Sequence, residues 1–156
     1  MKRFTVCLLL ILCLLGCSAS SEITLSCKDL TITLPDIYLD LSKEDYARDV
    51  DFLYGRERLI VLGFGEKKSD LNVYNLDAYT ALVLKGNSLS STLETVEDGY
   101  RFTYKMPVVD TEYVYVTGTY EGREHFWVVQ CYCPAEYLDT YQQEIDIILD
   151  SVRMKI

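Results

Sequence analysis

Residues 23–27 and 30–34 alternate apolar with polar side chains, the period expected of strands with one buried face. Pro35 stops the second strand and opens a turn with Asp36. The acidic stretch 40–51 accommodates one helical turn capped by Ser42, with Asp45 three residues on. Residues 58–65 contain the continuous apolar run LIVLGF, which suits a strand buried on both faces. From Asn75 the spacing becomes helical. Asn75 caps the free amides after it, Asp77 and Lys85 suit the two ends of the helix dipole, and Gly86 supplies a left-handed stop. Tyr79, Leu82 and Val83 form the core-facing stripe of this helix.

Period two returns at residue 90. Residues 90–96 lead through Glu97-Asp98-Gly99 into a return strand at 100–106, because Asp-Gly between alternating runs signals a hairpin. Residues 112–120 pair, through a tip at Glu121-Gly122, with a strand over 123–133. In that last strand Trp127, Val129, Cys131 and Cys133 point one way, and Phe126, Val128, Gln130 and Tyr132 point the other. Both sets are largely apolar, so both faces are covered. The chain closes with a long amphipathic helix whose stripe is Leu138, Tyr141, Ile145, Ile148, Leu149 and Val152. Hairpin-linked strands followed by such a helix predict an α+β fold, an antiparallel β-sheet flanked by helices. No repeat or linker divides residues 23–156, which read as one domain.

Residues 1–16 are of another kind: Lys2 and Arg3 precede an apolar run from Phe4 to Leu15 that contains no acid. The run is shorter than the ~20 residues that span a bilayer as a helix, and has the proportions of a secretory signal. Its close, Leu14-Leu15-Gly16-Cys17, resembles the lipobox of bacterial lipoproteins. That resemblance implies cleavage before Cys17 and acylation of its sulfur by a diacylglyceryl group with chains of the palmitate class. Two acyl chains hold a protein stably at a bilayer where one does not. Residues 17–22 then form the lipidated cysteine and a tether spanning on the order of 12 Å, with the domain on the extracytoplasmic face of the cell membrane. The other reading is an ordinary signal cleaved near Ala19 and a secreted product.

Removing the signal changes the charge. The 156-residue chain carries 15 basic and 24 acidic residues; without Lys2 and Arg3 the balance is 13 against 24, a net charge of −11. Such a domain repels a phosphate backbone, so nucleic acid is not a partner. Six cysteines become three: Cys27, Cys131 and Cys133. An odd count in an oxidising compartment leaves at least one thiol unpaired. A bond from Cys27 to either partner closes a loop of about 105 residues, for up to ~4.7 kcal/mol in the chain-entropy account. Three buried thiols acting as small apolar side chains are the alternative, and a Cys131-x-Cys133 redox pair is a third.

The order of elements resembles the PsbP-like superfamily, an α-β-α sandwich around an antiparallel sheet. The residues that carry the resemblance are the early strand ending at Leu34-Pro35 and the mid-chain helix opening at Asn75-Leu76-Asp77-Ala78-Tyr79. The Tyr120-Glu121-Gly122 tip before HFWVVQCYC and the close at Ile147-Ile148-Leu149-Asp150-Ser151-Val152 complete it. It covers residues 23–156 and implies a role in binding or supporting protein partners, with no functional residue to carry across.

Candidate chemistry is sparse. His125 is the sole histidine, and no nucleophile elbow or zinc-protease motif occurs. The acids Asp36, Asp40, Glu44, Asp45, Asp49 and Asp51 lack the order of a calcium loop and read as a solvated face. Asp70, Asn72, Asn75 and Asp77 suit turn and cap duties. No catalytic residue, cofactor or metal ligand is assigned. Tyrosine is the one excess: all 13 lie after the signal, and Tyr113 and Tyr115 share a strand face as a candidate recognition surface. The expectation is a lipid-anchored surface protein, more a binding or scaffold module for an envelope component than an enzyme. An envelope hydrolase using paired carboxylates, or a small-ligand or metal carrier, is the alternative.

Overall fold

The computed structural model describes residues 21–155. The expected signal, Cys17 and the first residues of the expected tether lie outside the described residues. Ten strands and two α-helices follow in the order β1 (Glu22–Cys27), β2 (Leu30–Pro35), β3 (Leu39–Asp40), β4 (Phe52–Arg56), β5 (Leu59–Lys67), α1 (Leu76–Gly86), β6 (Glu94–Val96), β7 (Gly99–Val108), β8 (Thr111–Glu121), β9 (His125–Pro134), α2 (Leu138–Asp150) and β10 (Arg153–Met154). All pairings are antiparallel: a seven-stranded sheet ordered β3-β4-β5-β9-β8-β7-β6, and a three-stranded sheet ordered β1-β2-β10.

β9 lies at the centre of the large sheet and is apolar on both faces, as its sequence predicts. Trp127, Val129, Cys131 and Cys133 enter the main core with β2 and α2, through Leu30, Ile32, Leu34, Ile145 and Ile148. Phe126 and Val128 enter a smaller core under α1, where Tyr79 stacks on Phe126 at 4.8 Å between ring centres. The layers are therefore α1, the large sheet, and a third layer shared by α2 and the small sheet. This is richer in β structure than an α-β-α sandwich. The C-terminal helix is also shorter than its stripe: α2 has 13 residues, preceded by a 3₁₀ turn at Ala135–Tyr137, and Val152 is buried just beyond its end.

Several local expectations fail for identifiable reasons. Ser42 caps no helix; its hydroxyl accepts the Leu53 amide at 3.1 Å, while a 3₁₀ turn forms at Asp45–Ala47. β5 alternates buried with half-buried positions instead of being covered throughout. Leu82 is exposed, and Leu76 takes its place beside Tyr79 and Val83 in the core stripe of α1. Asn75 does accept the Ala78 amide at 2.9 Å, but no glycine among the described residues has a positive φ; the left-handed residue after α1 is Ser88. Gly99 follows the same logic. It opens β7 beside the Glu97-Asp98 turn, where a Cβ would stand 2.1 Å from the Thr119 carbonyl oxygen. Its role is to permit a close approach of backbones, not to turn the chain.

The β8–β9 connection is longer than a Glu121-Gly122 tip, since Glu121 pairs with Phe126. The reason is Asp29, in the β1–β2 turn. Its buried carboxylate accepts the Trp127 indole N–H at 2.7 Å and the amides of Glu124 and His125 at 2.8 and 3.1 Å. A Cβ on Gly122 would sit 2.5 Å from the same carboxylate, so glycine is required there by space. The Asp29 carbonyl accepts the Lys155 amide at 2.7 Å, which ties in the C-terminus as well. Burial alone would raise the Asp29 pKa; the Trp127, Glu124 and His125 hydrogen bonds and the nearby imidazole outweigh it and hold it below its ordinary value.

Asp29→Ala leaves three donors without their acceptor, two of them buried, and is expected to cost about 3 kcal/mol in urea unfolding. Because the folded pKa is the lower one, the contribution of Asp29 is complete above the unfolded value of about 4 and drains away as pH falls through the folded value. The urea midpoint of the variant should therefore fall less steeply than the parent's over that acid range; parallel acid limbs would refute this role.

Candidate functional site

α1 covers only part of its face of the large sheet. It packs over Phe64, Phe126 and Val128, its Thr80 hydroxyl lies 2.7 Å from that of Thr119, and Asp77 accepts the Tyr100 hydroxyl at 2.6 Å. Beyond this cover the register places Ile60, Tyr132, Tyr115 and Tyr104 in one row across β5, β9, β8 and β7. The result is an aromatic ladder. Tyr104 stacks on Tyr115 at 4.9 Å and 4°, Tyr115 on Tyr132 at 5.1 Å and 25°, and Tyr113 meets Tyr132 edge-on at 6.2 Å. Each such contact is worth about 0.5–1.5 kcal/mol beyond area burial.

Leu62, Val108 and Gln130 complete a shallow groove of about 390 Å³ along Tyr113, Tyr115 and Tyr132. The Gln130 side chain donates to the Tyr104 hydroxyl at 2.8 Å and to Thr117 Oγ1 at 2.9 Å, which fixes the floor. Partial burial pushes the Tyr104 and Tyr115 phenols up from their ordinary values, so both remain neutral donors at any physiological pH. The sequence singles out Tyr113 and Tyr115; it misses Tyr104 and Tyr132 as members of the same surface. The signal was present in the two-residue β7–β8 connection, which sets Tyr104 opposite Tyr115.

A second concavity, about 650 Å³, opens between β7 and α2. Arg101 lies in it, 2.8 Å from Asp150 and 3.5 Å from Asp146, beside Glu94 and Gln142. It is polar and acidic, and its one cation is engaged by the helix carboxylates.

The remaining candidate residues disperse into structural work. Asp36 accepts from the Ser21 hydroxyl, Asp40 accepts the Ser42 amide, Asp45 pairs with Arg48, and Asp51 binds Lys28 and the Gly65 amide. Asp29 and Asp40 are both held below the ordinary carboxylate range, the direction opposite to a general acid's need. His125 is buried, with Nδ1 3.3 Å from Asp29 and no hydrogen bond on that atom. Cys27, Cys131 and Cys133 are all free thiols; Cys131 and Cys133 are buried in the main core and Cys27 is half-buried. Burial raises the pKa of all three.

No protein-family model matches the sequence, and no curated protein matches it. Solved structures do. The solution structure of cyanobacterial PsbP (CyanoP) from Synechocystis sp. PCC 6803 superimposes with a TM-score of 0.50 at 10% identity, over 89% of this chain and 95% of that one. A crystal structure of a protein from Bacteroides thetaiotaomicron VPI-5482 gives a TM-score of 0.54 at 10% identity, over 81% of this chain and 45% of that one, so the chain spans under half of that protein. The fold is PsbP-like. At this identity the likeness extends to the fold alone.

The buried thiols set a checkable expectation. In denaturant, Cys27, Cys131 and Cys133 should all react with an aromatic disulfide reagent, whereas in the native domain Cys131 and Cys133 should remain unreactive at pH 8. A denatured count of one thiol from these three would show that a disulfide forms instead.

Proposed function

We propose that this chain is a membrane-anchored lipoprotein whose domain binds an envelope protein through the open tyrosine face. The observation that carries the reading is the half of the sheet that α1 leaves uncovered, where a stacked tyrosine ladder lines a groove with Leu62 and Gln130. Tyr brings large apolar area with a polar tip and little conformational entropy to lose, and is enriched at the centres of interfaces. The Leu14-Leu15-Gly16-Cys17 sequence supports the anchor, and the finer assignment to the PsbP-like superfamily agrees with a supporting role.

Among the described residues no helix is long and apolar enough to cross a membrane, so under this reading attachment falls to Cys17. Cys17→Ser should move the protein from the membrane to the soluble fraction; unchanged fractionation refutes the anchor. Tyr113→Ser with Tyr115→Ser should reduce crosslinked partner recovered from solubilised membranes roughly tenfold or more, with the circular dichroism spectrum retained. Undiminished capture by that folded double variant would dismiss the tyrosine face.

A further inference from the structure

The sheet register sorts the two ends of the domain. Leu39 pairs with Gly55, Gly55 with Ile60, and Ile60 belongs to the tyrosine row. Beyond that row, in one direction, come Ile37, the turn at residues 57–58, Pro134 and the β7–β8 tip at Val109-Asp110. Ser21 belongs to this end, because its carbonyl accepts the Asp36 amide at 2.9 Å. The tether therefore joins the domain at the end from which the β7–β8 hairpin projects.

Of nine exposed large apolar side chains among the described residues, five are here: Ile37, Leu39, Met106, Val108 and Val109. Val109 is 93% exposed, and its φ of 55° is a left-handed conformation that β-branched side chains resist. A hairpin tip shaped by folding alone would carry Gly or Asn. A strained, fully exposed valine between Val108 and Asp110 has a use outside the fold.

We propose that this end of the domain contacts the lipid bilayer itself, with Val109 at the hairpin tip entering the headgroup and acyl boundary. The choice of a lipid surface rests on the reading of Cys17 as acylated, since a tether spanning on the order of 12 Å keeps this end at the membrane. The contact is apolar, not electrostatic. Asp36, Glu57, Asp110, Glu112 and Glu136 outnumber Arg58 and Lys105 at this end, so zwitterionic lipid is favoured and anionic lipid opposes.

Trp127 is the sole tryptophan and is buried, so an added indole reports separately. The test uses the full chain with Val109→Trp, taken from bacterial membranes into phosphatidylcholine vesicles with brominated acyl chains. Tyr74→Trp, at an exposed site before α1 on the β8–β9 loop side, is the control. Roughly half the tip emission should be lost, and little of the control's. Co-flotation with vesicles but equal emission from both variants overturns the lipid contact and spares the anchor. The same pair in a Cys17→Ser background, at millimolar lipid, separates the two claims further. Tip quenching there sustains the contact even where Cys17 proves unacylated, and its absence in both backgrounds overturns the contact. Shielding of the tip only when membrane proteins are present also overturns it, in favour of a protein partner.

Val109→Gly supplies a variant that folds. It should raise the thermal midpoint by a few degrees while weakening vesicle binding of the Cys17→Ser chain roughly tenfold. Vesicle binding as tight as the parent's would overturn the proposal. Added salt should strengthen residual binding to anionic vesicles by screening like charge, and weakening by salt would contradict the apolar contact.

Discussion

A single buried carboxylate holds the parts of this domain in place. Asp29 lies in the turn of the small sheet's hairpin, yet its three hydrogen-bond donors come from the β8–β9 loop and the start of the central strand of the large sheet. A buried charge is costly unless its lone pairs are filled, and here Trp127 and two backbone amides fill them. The same turn receives the Lys155 amide, so hairpin, β8–β9 loop and C-terminus converge on one residue. Trp127 is oriented by that bond, and the main core is then built around it. Gly65 is shaped to the consequence, because a Cβ there would lie 2.8 Å from the Trp127 ring.

The large sheet then divides its two faces unequally. The core face is covered by β2 and α2 across β5, β9 and β8. Opposite it, α1 covers one end and leaves the other to tyrosines that stack on one another instead of on a helix. Such a ladder is stable as part of the sheet and still presents phenol edges and a groove. That is why a surface this aromatic is compatible with a free domain. Fold and candidate site thus have one origin: a sheet wider than the helix laid over it.

Much of the fold was legible because it depends on short-range pattern. The period-two runs placed β1, β2, β7, β8 and β9, and the Asn75 cap and the stripe from Leu138 placed both helices. The failures came where a distant group intervened. Asp98-Gly99 marked the right hairpin, but Gly99 serves to admit the Thr119 carbonyl; Gly122 looked like a turn residue and makes room for Asp29. β4 escaped notice because Phe52–Arg56 is short and acquires its strand character from pairing with β5.

The sequence by itself determined the acidic, tyrosine-rich composition and the alternation that makes an antiparallel sheet with a C-terminal helix. These are properties of composition and nearest neighbours along the chain. Only the tertiary structure decided which tyrosines stand together, which glycines are there for space, and at which end of the domain Ser21 lies. Each depends on register between strands far apart in sequence. One residue of slip would turn the whole ladder to the other face.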